Sequence, residues 1–177
     1  QLDLDASLQV LDVGSGLGGP SRALASEFGC QVTGIDLCED YCQIANMFAR
    51  RLSLDSQVSY QQSNALDMPF ADQSFDLLWT QHASMNIADK AALYTEMWRI
   101  LKPGGRLAIY DVLTGTGGAV HFPVPWASDA GDSYLISPQE LRAQLEEVGF
   151  DILTWYDATE RGRAWFARMG TKIAQQG

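Results

Sequence analysis

The chain is poor in histidine, cysteine and positive charge. Its 177 residues include 2 His and 3 Cys, and 12 Lys and Arg stand against 22 Asp and Glu, a formal charge of −10. Nucleic acid and anionic membrane surfaces recruit clustered Lys and Arg, so neither is expected as the main partner. A small molecule, neutral or cationic, fits better. Cys30, Cys38 and Cys42 are too few, and odd in number, for a secreted disulfide framework, which points to a reducing, cytoplasmic setting. Cys38 and Cys42 are spaced i, i+4, yet no clustered His or further Cys completes a tetrahedral set, so no metal is expected. No apolar run approaches the ~20 residues of a membrane span, and no basic-plus-apolar leader opens the chain. The chain starts at Gln1 rather than Met, with core strand soon after, so upstream residues are expected to be missing.

What the chain does have is a glycine turn. Asp12-Val13-Gly14-Ser15-Gly16-Leu17-Gly18-Gly19 follows the apolar run 8–13, which reads as a buried parallel strand. Glycines there let the backbone bend sharply and approach a ligand where a Cβ would collide. Asp36 ends the next apolar run, where an acidic side chain can accept the hydroxyl hydrogens of a ribose. A nucleoside ligand follows. The spacing of Gly14, Gly16 and Gly19 satisfies the dinucleotide fingerprint, so the turn alone does not separate NAD from an adenosyl sulfonium. Asp12 lies at the carboxyl end of the first strand, where it suits a cationic ligand and repels a pyrophosphate. No Lys or Arg occurs from residue 12 to 20, against a Walker-type phosphate cradle.

Beyond the turn the periodicity alternates. A helix from Pro20 to about Phe28 is closed by Gly29, and strand 31–36 follows. Tyr41, Ile44, Ala45, Phe48 and Leu52 recur at helical spacing over 39–52, before strand 58–62. A polar loop spans 63–72, strand 75–80 and helix 89–101 come next, and Lys102-Pro103-Gly104-Gly105 turns into strand 106–112. Residues 113–136 break the rhythm with glycines, prolines and aromatics, as substrate-side loops do. Ser137-Pro138-Gln139-Glu140 is a capping box for a helix ending near Gly149, then a sixth strand over 151–156 and a last helix over 161–175 are expected. The expected fold is one α/β domain, 1–177, with a doubly wound parallel sheet covered by helices on both faces.

Four segments together resemble the class I S-adenosylmethionine-dependent methyltransferases: Leu11 to Gly19; Gly34-Ile35-Asp36; Asn64-Ala65-Leu66-Asp67-Met68-Pro69-Phe70 with Phe75-Asp76; and Leu101 to Gly105. Gly18-Gly19-Pro20-Ser21-Arg22 and Trp79-Thr80-Gln81-His82 look like the small-molecule subgroup that includes ubiquinone/menaquinone C-methyltransferases and sarcosine/dimethylglycine N-methyltransferases. The resemblance implies a Rossmann-like fold, S-adenosyl-L-methionine as cofactor and S-adenosyl-L-homocysteine as product. It implies that Gly14, Ser15, Gly16 and Gly18 line the methionine and ribose portion with Asp12 behind them. Asp36 would hold the ribose hydroxyls, Leu37 and Ala65 would flank the adenine, and Gln81 would close the pocket. Asn64 stands where the family commonly has an Asp that accepts the adenine amino hydrogens, and an amide oxygen accepts as well. The family's N-terminal helical cap and seventh, antiparallel strand have no counterpart in these residues, leaving an expected six-stranded core.

An activated methyl needs chiefly a nucleophile held in line at about 3 to 3.5 Å and shielded from water. An amine, phenol or enolisable carbon must also lose a proton, and His is the usual base. His82 ends the fourth strand, at the sheet edge where ligands of this architecture bind, and so outranks His121. Asp111, at the end of the fifth strand, is the second candidate for steadying the acceptor or taking its proton. Met85, Asn86, His121 and Trp126 are the candidate acceptor contacts. Two rival readings stay open: an NAD(P)-dependent oxidoreductase, although no Tyr-x-x-x-Lys pair occurs, and an adenosyl-cofactor-binding module without catalysis.

Overall fold

In the computed structural model residues 2–174 are described, and the glycine turn lies between a central strand and the first helix. Strands β1 (Gln9–Val13), β2 (Gln31–Asp36), β3 (Val58–Gln62), β4 (Phe75–Gln81) and β5 (Leu101–Tyr110) form one sheet in the order β3-β2-β1-β4-β5. Every neighbouring pair runs parallel. The chain starts at the centre, winds outward through β2 and β3, then returns to lay β4 on the other side of β1. Between β1 and β4 the winding reverses, and such switch points open a crevice at the carboxyl ends of the strands.

Helices α1 (Gly19–Phe28), α2 (Glu39–Arg51), α3 (Lys90–Ile100), α4 (Pro138–Val148) and α5 (Thr159–Ala174) follow or flank these strands. Alternating strand residues feed two cores. Val10 packs with Leu24, Ala25, Ala45 and Ala49 of α1 and α2, while Leu11 and Val13 pack with Leu93, Met97, Leu141 and Leu145 of α3 and α4. Both faces of the sheet are therefore covered, as parallel strands require. Ser137 and Glu140 close the expected capping box, and Gly149, at φ +116, ends α4.

Three details depart from the sequence reading. Lys102 to Gly105 is a bulge within β5 rather than a turn before it: Phe75 pairs with Leu101 and Leu77 with Arg106, with the register shift between them. Pro103 has no ladder donor and Gly104 takes φ +77, so the pair absorbs the extra residues. Residues 151–156 are not a sixth strand. β5 is the edge of the sheet with no backbone ladder to this segment, and both line an open groove of about 3100 Å³. Leu153 and Tyr156 of the segment are largely exposed, the Arg142 guanidinium lies 4.0 Å over the Trp155 ring, and Phe150, just before the segment, meets Trp98 edge-on at 4.9 Å. Finally, α5 begins at Thr159 rather than residue 161, and its expected last residue, Gln175, lies outside the described residues.

Candidate active site

The crevice at the switch point is floored by the glycine turn. Gly14, Gly16 and Gly18 all have positive φ, +77, +52 and +74. A Cβ on Gly14 would stand 2.3 Å from the Ala83 Cβ, and one on Gly18 would stand 2.2 Å from the Tyr60 hydroxyl. Those two glycines are bare because neighbours press on them. Gly16 differs: nothing lies within 4 Å of where its Cβ would be. Its open side leaves a cradle of unfilled space over the turn.

Asp36 lies at the rim of that cradle. One carboxylate oxygen accepts from the Gly16 amide at 2.8 Å and the other from the Cys38 amide at 2.9 Å. Leu37, beside it, is 72% exposed, a large apolar surface on the rim. Asn64 accepts the Leu66 amide at 3.0 Å through its side-chain oxygen, an Asx-type turn that leaves that oxygen a second lone pair. The loop over residues 63–72 is pinned by Arg99 of α3, which donates to the carbonyls of Phe70 (2.7 Å) and Met68 (3.0 Å) and pairs with Glu96 and Asp72.

Asp12 is buried at the end of β1, and the Ser21 hydroxyl of α1 donates to it at 2.5 Å. Burial and, less strongly, the nearby Asp36 charge push its carboxyl up to about 6, against the lowering effect of Ser21. Ser15 is buried in the turn. Its amide donates to Ile35 O, while its hydroxyl lies within 2.8 Å of where a Gly34 Cβ would stand, beneath the turn. Bare Gly34 leaves the room that draws that side chain under the loop.

On the other wall, β4 runs into a tight turn. His82 takes φ +55, an uncommon conformation for a residue with a Cβ and one that costs of order 1–3 kcal/mol unless its surroundings hold it. They do. The His82 amide donates to Tyr110 O at 2.9 Å, and its ring lies 4.9 Å from the Tyr110 ring. Asp111 accepts the Ala83 and Ser84 amides, each at 3.1 Å, and the Ser84 hydroxyl. Burial raises the Asp111 carboxyl despite these donors and His82. Buried Lys90 donates to Ser84 O at 2.5 Å and to Ile87 O. Desolvation lowers its ammonium while Asp111 opposes that shift. A 3₁₀ turn over Ser84–Asn86 results, and the Asn86 amide donates to Trp126 O (2.7 Å) and Asp132 O (2.8 Å) of the 113–136 loop.

Gln81, His82, Met85, Asn86, Asp111 and Trp126 line one groove, together with Tyr110 and Pro125. His121 is exposed on the loop and is not among that groove's lining. Ser21, Ser84, Lys90 and Tyr60 are structurally central to the two walls, yet they carry no motif of their own. Ser21 alone stands inside a quoted segment.

Residues 11–109 match the family described as "Methyltransferase domain". The chain belongs to this family. Its relatives include the methyltransferase GfsG of Streptomyces halstedii, 34% identical over 92% of this chain and 60% of that protein. Among solved structures, phosphoethanolamine N-methyltransferase 2 of Haemonchus contortus in complex with S-adenosyl-L-methionine superposes with a TM-score of 0.84 at 25% identity, over 99% of this chain and 40% of that one. The [4+2]-cyclase SpnF superposes at 0.78 with 29% identity, over 90% and 56%. The chain thus spans about 40 to 60% of each of these proteins. It is a class I, Rossmann-like, S-adenosylmethionine-dependent methyltransferase domain, and the oxidoreductase reading gains no support. No helix among the described residues is long and apolar enough to cross a membrane.

Proposed function

We propose that this chain catalyses methyl transfer from S-adenosyl-L-methionine to a nitrogen, oxygen or carbon nucleophile of a small molecule in the groove beside His82. The observation that carries the reading is the contact of the two walls: the glycine turn and the His82 turn abut at Gly14 and Ala83. The ligand cradle and the candidate base therefore adjoin. The bound cofactor supplies a methyl group already activated by its sulfonium charge.

Asp36 accepts the ribose hydroxyls, giving up the Gly16 amide for them, while Leu37 and Ala65 flank the base and the free lone pair of Asn64 takes its amino hydrogen. Gln81 closes the pocket. Ionised Asp12 stabilises a cationic ligand through the turn. His82 removes the acceptor's proton. Asp111 is better read as a positioning residue than as a second base, because both its oxygens are spent on the turn that carries His82. Met85 and Trp126 contact the acceptor, Asn86 acts through the loop it holds, and His121 contributes only if that loop folds inward. The acidic balance argues against nucleic acid as partner, and three free cysteines favour a cytoplasmic setting.

Since the SpnF fold carries a different reaction, binding alone does not decide the function. The deciding assay gives the whole protein radiolabelled S-adenosyl-L-methionine and a metabolite mixture, and a labelled small molecule is expected. His82→Ala should lower turnover about 100-fold or more, with S-adenosylhomocysteine affinity within about twofold of wild type. Equal losses in both would reduce His82 to a structural part. Cofactor binding without any labelled acceptor would favour a non-catalytic module.

A further inference from the structure

The underside of the glycine turn holds a buried polar chain that meets the proposed cofactor contacts only at Gly18 and Asp12. Tyr60 sits on β3, directly paired with Gly34 of β2. A Cβ on Gly34 would stand 2.4 Å from the Tyr60 ring, so only glycine lets that ring cross β2 toward β1. The ring crosses and ends at the turn, where the hydroxyl donates to Gly18 O at 3.0 Å. Gly18 is also the N-cap of α1, and it has no side chain with which to cap. Ser21 and Arg22 lie near the same hydroxyl, Ser21 continuing the chain to Asp12 and Arg22 donating to Leu17 O at 2.6 Å. Behind Tyr60, β3 is an edge strand, and the Asn46 side chain of α2 closes that edge. Its amide nitrogen donates to Tyr60 O at 2.7 Å, and its oxygen accepts the Tyr60 amide at 3.1 Å.

We infer that Tyr60 is a positioning residue for cofactor binding: held by Asn46 and passed over Gly34, its hydroxyl fixes the Gly18 carbonyl and so the height of the Gly16–Gly18 backbone under the methionine portion. The inference rests on the proposed cofactor site. The physical reason is preorganisation. Three glycines at positive φ, Gly14, Gly16 and Gly18 at alternate positions, give the turn little stiffness of its own, and the buried hydrogen bond from Tyr60 supplies it. The adenosine portion is held at Asp36, Leu37 and Asn64, which the Tyr60 hydroxyl does not touch, and Asp36 joins the turn only through the Gly16 amide that it gives up for the ribose.

The test titrates wild type and Tyr60→Phe with two probes, S-adenosylhomocysteine and 5′-methylthioadenosine, which lacks the amino-acid portion, alongside melting of the unliganded protein. Tyr60→Phe should weaken S-adenosylhomocysteine five- to tenfold, leave methylthioadenosine within twofold, and hardly move the melting temperature. A merely structural tyrosine would lower both affinities together, or neither, and either result overturns the inference. Wild type failing to bind S-adenosylhomocysteine would instead overturn the cofactor reading itself. Should Tyr60→Phe not fold, Asn46→Ala loosens the same tyrosine from outside the site and must weaken S-adenosylhomocysteine at least threefold while sparing methylthioadenosine; unchanged affinity there overturns the inference.

Discussion

At the scale of single residues, Asp12 shows a conflict between stability and binding. Its carboxyl is buried between β1 and α1, with Ser21 as its hydrogen-bond donor and Asp36 as an unfavourable neighbour. One donor does not replace water around a carboxylate, so the folded protein holds this proton more tightly than the unfolded chain does, with a pKa of about 6 against 3.8. The sign follows from that order. Below the unfolded value both states are protonated and Asp12 is neutral in effect; as pH rises toward and past about 6, burying the charge costs stability. Roughly two pKa steps amount to about 3 kcal/mol at pH 8. Asp12→Asn keeps the shape and lets an amide oxygen accept from Ser21, although its buried NH₂ offsets part of the gain. The variant should be stabilised by about 1–3 kcal/mol at pH 8 and hardly at all at pH 3, below the unfolded value, while its cofactor affinity falls. Calorimetric melting at the two pH values checks this, and a gain equal at both would show that the charge is not what costs stability.

Among elements, the turn after β4 organises the acceptor side. Asp111 and Lys90 satisfy its backbone from within, and Asn86 exports the order to the loop by two hydrogen bonds. The loop returns a third, from the Tyr134 amide to Met85 O at 2.8 Å. Each neutral bond contributes about 0.5–1.5 kcal/mol, so Asn86→Ala should favour local opening of the loop by about 1–3 kcal/mol. Amide exchange over residues 126–134 should then quicken roughly tenfold or more, with β1 and β4 unchanged. Uniform protection would mean that the loop is held by other contacts. None of these clamps was legible in the sequence, because Asn86 meets residues 40 and 46 positions away. What could be read was local: the capping box at Ser137, the glycine that ends α1, the bounds of β2 and β3. The bulge in β5 and the absent ladder at 151–156 escaped for the opposite reason. Composition there suits a strand, but a strand exists only where a neighbouring backbone offers its hydrogen bonds. The proposed cofactor residues lay within reach of sequence reasoning because most of them lie at or just past the carboxyl end of a strand, whereas Tyr60 required knowing that Gly34 is its register partner.

For the whole molecule, the winding of the sheet explains why chemistry scattered over a hundred residues meets at one crevice. Asp12, Asp36, His82 and Asp111 all lie at or just past the carboxyl ends of β1, β2, β4 and β5, and parallel strands bring those ends to one side. The two cores, one on each face, are continuous with that edge through Leu11, Val13 and Val10. A ligand bound there touches segments that feed both cores, so its binding free energy is linked to global unfolding rather than to one loop. At about 100 times its dissociation constant, a ligand specific for the folded state adds roughly 2.7 kcal/mol. For a domain of this size each kcal/mol moves the midpoint by about 2–4 °C, so S-adenosylhomocysteine should raise the melting temperature by about 5–11 °C at that excess. NADH at equal concentration should leave it unmoved, since Asp12 repels a pyrophosphate and residues 12–20 carry no Lys or Arg, while Arg22 is engaged by Leu17 O. The contrast between the two shifts, measured by scanning calorimetry at pH 7.5 where Asp12 is ionised, separates an adenosyl-sulfonium site from a dinucleotide site built on the same glycine turn.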